Sequence, residues 1–250
     1  MRARSLAILG VAAYAIFLVA KVPASVVAAR IGDASGGAVQ MSDPRGTLWN
    51  GEARATVLAP GGVLALDHVE WRFAPSALAG GHFAFDVAAS GRGIEAKLTL
   101  GRGFARWIVQ SADARIDAAL ATMLAPLLGA SHPEGIVTLA TPELRLKDNG
   151  EARGTLTATW TDAAVSFSET KPLGKYKVDA TAEDGPLSFT VTTLTGPLRV
   201  SGRGTFAAPR QLTFSGEARG EGSDTRALDP LLDMLGPRRA DGARTLEIRS

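Results

Sequence analysis

The sequence predicts a mainly β chain: an N-terminal transmembrane helix followed by a curled antiparallel β-sheet with two short helices, the sheet closing as a barrel or sandwich or forming a folded groove. Three observations predict it. Apolar and polar residues alternate with period two through most of the chain, as half-buried antiparallel strands require because successive side chains point to opposite faces. Glycine and proline punctuate that alternation at intervals of about ten residues, at Pro60-Gly61-Gly62, Gly80-Gly81, Gly91-Arg92-Gly93, Asp184-Gly185-Pro186 and Gly196-Pro197. Ahead of it all lies an apolar run opened by Leu6, closed by Ala20 and flanked by Arg2, Arg4 and Lys21.

A helix over residues 6–20 rises about 22 Å, short of the roughly 30 Å hydrocarbon core. If Lys21 snorkels, the apolar length extends through Val27 and spanning becomes reasonable. The two arginines ahead of the run hold the N-terminus in the cytoplasm. The expected division is a cytoplasmic tip over residues 1–5, an anchor over 6–29 and an exported β domain over 30–250. The alternative is a cleaved signal peptide, with small residues at Val27-Ala28-Ala29. Either reading exports the bulk of the chain.

Charge supports this division. The chain carries 27 basic and 25 acidic residues, and no acid precedes Asp33. Without Arg2, Arg4 and Lys21 the balance is 27 − 3 = 24 basic against 25 acidic, so the exported part is close to neutral. The high isoelectric point is therefore a topology signal. With no basic stripe interleaved with aromatics, nucleic acid is rejected as a partner. Cysteine is absent, so the domain stands without disulfides.

After a short linker containing Gly32, Gly36 and Gly37, the first long strand carries Trp49, Gly51, Ala53, Ala55 and Val57 on one face. The alternation returns at Val69, Trp71 and Phe73; at Phe83, Phe85 and Val87; and at Ile94, Ala96, Leu98 and Leu100. Later members are Leu144 and Leu146; Leu156, Ala158 and Trp160; Val165 and Phe167; Tyr176, Val178 and Ala180; and Leu187, Phe189 and Val191. Leu198 and Val200, Leu212 and Phe214, and Leu246 and Ile248 complete the series.

Two stretches read as helices. Over residues 113–128, Ile116, Leu120, Met123, Leu124 and Leu127 form one helical stripe. The second runs from an N-cap at Asp224 to Leu235 and stops at Gly236-Pro237. Leu124-Ala125-Pro126-Leu127-Leu128 resembles Leu228-Asp229-Pro230-Leu231-Leu232, and Gly46-Thr47-Leu48 and Gly154-Thr155-Leu156 both open strands. The spacing predicts two related halves, about 42–147 and 148–250. So many strands present more apolar face than two short helices cover. The sheet must curl on itself or meet an apolar ligand or partner, and its many inward alanines favour self-closure.

Catalytic chemistry is sparse. The histidines are His68, His82 and His132, none paired at ligand spacing, and the first two fall on polar strand faces as solvated residues. Neither a Gly-x-Ser-x-Gly elbow nor a phosphate loop occurs. The Gly-Arg-Gly triplets at 91, 101 and 202 read as hairpin turns at strand ends. Trp49, Trp71, Trp107 and Trp160 form either a ligand platform or, by default, buried sheet packing. No catalytic, cofactor-binding or metal-ligating residue is assigned, and no cofactor.

At this point the residues resemble a family. Arg45-Gly46-Thr47-Leu48-Trp49-Asn50-Gly51 is similar to the Gly-Thr-hydrophobic-Trp-x-Gly strand that follows the membrane anchor in protein N of the general (type II) secretion pathway of Gram-negative bacteria. Further elements fall in the family's order: Val22-Pro23-Ala24, Trp71 with Pro75 and Leu78, Pro172-Leu173-Gly174-Lys175-Tyr176, Gly196-Pro197-Leu198, and Pro230-Leu231-Leu232 ahead of Asp241-Gly242. The resemblance implies a non-enzymatic, single-pass inner-membrane component facing the periplasm. It would help export folded exoproteins by touching other secretion components or the exoproteins. A second reading resembles the AsmA-like envelope proteins, which carry lipid in an apolar β groove; a third is an exported hydrolase. In each, Trp49 and Gly51 fix the first long strand, Trp71 and Pro75 the second strand and its exit, and Leu231 and Leu232 the closing helix.

Overall fold

The computed structural model describes residues 10, 14, 17–124, 131–207, 211–222 and 225–249. They form one antiparallel sheet of thirteen strands in strict sequence order. The strands are β1 (Val39–Gly46), β2 (Asn50–Ala59), β3 (Gly62–Phe73), β4 (Phe83–Gly91), β5 (Ile94–Gly103), β6 (Arg106–Asp117) and β7 (Glu134–Lys147). They continue as β8 (Ala152–Ala164), β9 (Gly174–Gly185), β10 (Leu187–Thr195), β11 (Leu198–Ala207), β12 (Gln211–Gly220) and β13 (Arg244–Arg249). The α-helices that join them are α1 (Ala24–Ala34), α2 (Ala121–Leu124) and α3 (Thr225–Leu235).

Each predicted alternation from Ala53 onward falls within one of these strands, except Val165 and Phe167, which lie just past the end of β8. The small and apolar positions line up across the pairs. One rung runs from Ala53 and Val69 through Ala89, Ala96, Ala114, Leu139, Ala158, Val178 and Val191 to Gly202, Gly216 and Leu246. It crosses the sheet from β2 to β13 without a polar residue. Ala53 and Val69 are buried, but from Ala89 onward the rung is half-buried. The apolar face is not sealed along its middle.

Barrel and sandwich are corrected to an open sheet. Among the strands β1 pairs only with β2 and β13 only with β12, apart from a single bridge between Arg238 and Arg244, and the described residues contain no second sheet. The alanines line the middle of the face and not a closing seam. Two features oppose closure: α1 packs against β1 and β2, and β1 is interrupted between Ser42 and Arg45 around Asp43 (φ 54°) and Pro44. Both devices blunt an edge strand against further pairing.

The N-terminal reading also changes. The helix reached at residues 17–20 ends in a turn at Lys21, and Pro23, which has no N–H, starts a new helix, α1, in place of a continuation. Ala24 and Val27 then pack on Ala53, Trp71, Met41, Phe85 and Val87. The apolar extension through Val27 is thus part of the sheet domain; of the expected linker, Gly32 lies in α1, while Gly36 and Gly37 form the turn between α1 and β1. Leu6 lies outside the described residues, among which no helix is long and apolar enough to cross a membrane.

The helix expected over 113–128 is a strand as far as Asp117. Ile116 pairs with both Ile94 and Val137, and long-range pairing overrides the short helical stripe. After it come a 3₁₀ turn (Ala118–Leu120) and the four-residue α2; residues 125–128 are outside the described set. The second helix appears as α3, with Pro230 inside it, while Asp224 is not described. A helical link precedes the last strand of each proposed half, β7 and β13. Gly46 ends β1, however, whereas Gly154 lies inside β8, so those two triplets are not equivalent.

Candidate interaction surface

The residues that carried the resemblance gather in two packing units. The first is the β1–β2 turn. Gly46 and Gly51 face each other across it. Thr47 N–H donates to Asn50 O at 2.8 Å, and Thr47 Oγ1 accepts from the N–H groups of Trp49 and Asn50 at 3.3 Å. Trp71, buried on β3, lies across this turn and donates its indole N–H to the carbonyls of Thr47 and Leu48, at 3.2 and 3.1 Å. A Cβ on Gly51 would stand 2.5 Å from the Trp71 ring, so only glycine admits the indole.

Trp49 is therefore not a buried strand residue. It sits half-buried in the turn, its ring edge-on to Phe73 at 5.0 Å and its indole N–H on the Val19 carbonyl at 2.8 Å. Leu48 N–H donates to Val22 O at 2.8 Å, and Pro23 bridges Thr47. Together these bonds clamp the end of the leading segment, past Ala20 and Lys21, to one edge of the sheet. Pro75 opens a 3₁₀ turn (Pro75–Gly80) at the same edge, with Leu78 exposed on it.

The second unit lies beneath α3, where Leu173, Tyr176, Leu198, Leu228, Leu231 and Leu232 are buried together. Gly174 and Gly196 let the β8–β9 and β10–β11 connections touch, and Pro172 and Pro197 flank them. The Tyr176 hydroxyl donates within reach of two carbonyls, Leu173 at 3.2 Å and Leu198 at 3.0 Å, and burial pushes its phenol well above the usual tyrosine range. Arg244, buried at the start of β13, donates to Asp233 of α3.

The four tryptophans make no platform: Trp49 and Trp71 share the first unit, Trp160 packs near Tyr176 in the second, and Trp107 stands 45% exposed on β6. His82 precedes β4 and is half-buried, with its Nε2 buried and without a hydrogen-bond partner and its Nδ1 3.3 Å from the Gly80 carbonyl. Near it, Glu143 accepts from Gln110 at 2.7 Å and pairs with Arg145 at 2.6 Å. The Gln110 bond is the main cause holding the Glu143 carboxyl below its usual range. The Gly-Arg-Gly triplets at 91 and 101 mark strand ends, but that at 202 is inside β11, where Gly202 and Gly204 leave room for the Phe214 and Phe189 rings, stacked at 6.0 Å. An open depression of about 610 Å³ on the polar face of β1–β6 holds Glu52, Glu70, Arg72, Asp86 and Lys97 in mixed charge. No group of three His, Cys, Asp or Glu residues suited to a metal occurs among the described residues.

Sequence reasoning missed the row of aromatic and basic side chains along the lower edge, defined as the edge bearing the β1–β2 turn. Phe73 meets Phe83 at 6.4 Å, Phe83 pairs in register with Arg102, and the Arg102 guanidinium stacks 4.9 Å from Trp107 while bonding both Asp148 oxygens at 2.7 and 2.8 Å. Its members come from three successive connections, β3–β4, β5–β6 and β7–β8, so no single local spacing announced the row.

No curated protein and no solved structure matches the chain. The family model described as "Type II secretion system (T2SS), protein N" matches residues 37–247, from just before β1 into β13, taking in both packing units and every strand pair between them, and the chain belongs to that family.

Proposed function

We propose that this component of the type II secretion system is held in the inner membrane by its leading apolar segment and faces the periplasm with its β domain, where it aids export of folded exoproteins through protein–protein contacts and without catalysis. The observation that carries the reading is an open sheet in a chain of this family, whose last strand, β13, is paired along its length with β12 alone. Beyond Arg244 and Thr245, which the segment after α3 bonds, the β13 edge offers a short row of backbone groups of the kind that captures an extended partner segment, and tethering near a bilayer raises the local concentration of such partners. Deleting the gene and measuring exoprotein release tests this. Release falls severalfold and returns with the wild-type gene; unchanged release with a normal envelope rejects it.

A second reading has its own observation, the uninterrupted apolar rung from Ala53 to Leu246 that stays half-buried along its middle. Such a trough suits an acyl chain. Native mass spectrometry of the purified chain distinguishes the two, since the lipid reading requires copurifying lipid.

A further inference from the structure

The lower edge collects several features that packing of the sheet does not account for. Phe104, at the tip of the β5–β6 hairpin, is 99% exposed, touching nothing that would hold it in a core. Phe83 (58%) and Leu78 (48%) on the neighbouring connection are also exposed. Hairpin tips ordinarily carry polar or small residues. A large apolar ring presented whole to solvent is costly unless something covers it.

Basic groups flank that ring on both faces of the sheet. Arg102 stacks on Trp107. On the other face Arg106, with its Nε buried and lacking a hydrogen-bond partner, lines a hollow of about 310 Å³ with Arg145, Lys147, Arg153 and Asp184. Lys147 pairs with Glu151 at 2.8 Å and with Asp184 at 3.2 Å, Asp184 also pairs with Arg153 at 3.1 Å, and Glu143 pairs with Arg145. Arg106 has no carboxylate partner among the described residues, and its hollow keeps an excess of positive charge.

What covers this edge is indicated by where the leading segment arrives. Residues 6–20 are apolar, and their C-terminal end is clamped to this edge by the bonds from Trp49 to Val19 and from Leu48 to Val22. The β1–β2 turn and the β5–β6 tip are four strand spacings apart, roughly 19 Å along the edge. A bilayer that holds the leading segment therefore lies within reach of Phe104. Aromatic rings beside arginines are the composition of a membrane–water interface, the ring at the acyl boundary and the guanidinium at the phosphates.

We propose that the lower edge of the sheet docks on the surface of the same bilayer, with Phe104 inserted at the acyl boundary and the Arg106 hollow taking the phosphate of an anionic phospholipid. The inference rests on the anchoring proposed above. It orients the sheet with its strands upright on the membrane and the β4–β5 turn at Arg92 far from it.

The chain has no cysteine, so single-cysteine labelling of the full-length protein is direct. The variants are Phe104→Cys and Arg92→Cys, at opposite ends of β5 and both exposed, each carrying an environment-sensitive fluorophore. Each is reconstituted into vesicles of phosphatidylcholine with phosphatidylglycerol at about seven to three, with and without doxyl-labelled lipid, and recovered by flotation. The expected result is a blue-shifted probe at 104, quenched at least twofold more than the probe at 92, the excess shrinking severalfold with Arg106→Glu or in pure phosphatidylcholine. Equal quenching at 104 and 92 in chain that floats overturns the docking and leaves the anchor standing. Chain that does not float overturns both. A strong signal at 104 that is indifferent to Arg106→Glu and to phosphatidylglycerol overturns the phosphate contact.

Discussion

Around Trp71 the chain is held by directional bonds: two indole N–H groups reach backbone carbonyls, and the apolar partners are mostly alanine-sized or half-buried. Around Leu228 it is held by volume. Nine residues are buried together, and the Tyr176 hydroxyl is the single polar side-chain group among them. The first unit lies on the lower edge and fixes how the leading segment meets the sheet. The second lies at the opposite edge and packs α3 onto the β8–β13 side of the sheet, with no member drawn from that segment among the described residues. Hydrogen bonds set an angle, whereas packed leucines supply stability without specifying direction.

This contrast can be broken at either unit. Trp71→Ala has the largest expected effect, about 3–5 kcal/mol, because it empties a site shaped by Gly51 and frees two carbonyls. Denaturant unfolding reads it, and the leading segment should become more accessible to protease. Leu228→Ala should cost about 3 kcal/mol with no change in that accessibility. In the double variant the two losses add to within about 0.5 kcal/mol, since the units share no partner. Coupling beyond that would mean the sheet transmits strain from one edge to the other.

Smaller changes sharpen the comparison. Tyr176→Phe removes the hydroxyl donor from the Leu198 carbonyl, while the Leu173 carbonyl keeps the Leu198 N–H, and should cost about 1 kcal/mol. Trp49→Phe keeps the contact with Phe73 but loses the bond to Val19, at about 0.5–1 kcal/mol, and should loosen only the leading segment in hydrogen exchange. The smallest effect is on pH dependence. Glu143 has a depressed carboxyl pKa in the folded chain, so its contribution is present above the ordinary glutamate value near 4.3 and disappears as pH falls through the lower folded value. Gln110→Leu should flatten that part of the acid unfolding curve by lowering stability slightly at pH 7 to 8, while leaving it nearly unchanged below the folded value.

Much of the sheet was legible because a meander is local. Each strand pairs with its neighbours in sequence, and alternation at Val69, Trp71 and Phe73 or at Tyr176, Val178 and Ala180 reports the pleat directly. The stretch that misled was 113–117, where one alanine and one isoleucine are too few to tell helical from strand spacing and the pairing of Ile116 with Ile94 and Val137 decides. The two glycines of β11 misled for a related reason. Their role is to admit Phe189 and Phe214 from adjacent strands, which no turn signal encodes. Of the two motif tryptophans, both expected in buried sheet packing, Trp71 is buried and Trp49 is half-buried in the turn.

The sequence by itself determined the pleated, one-sided character of the chain, its punctuation into hairpins and the apolar segment that leads it, because each is a property of residues within a few positions of one another. Only the tertiary structure decided that the sheet stays open, that α1 lies on the β1 side, that the motifs part into a bonded unit and a packed one, and that aromatic and basic residues from separate hairpins share one edge. Those outcomes depend on register and on which element covers which, quantities set by contacts between residues tens of positions apart.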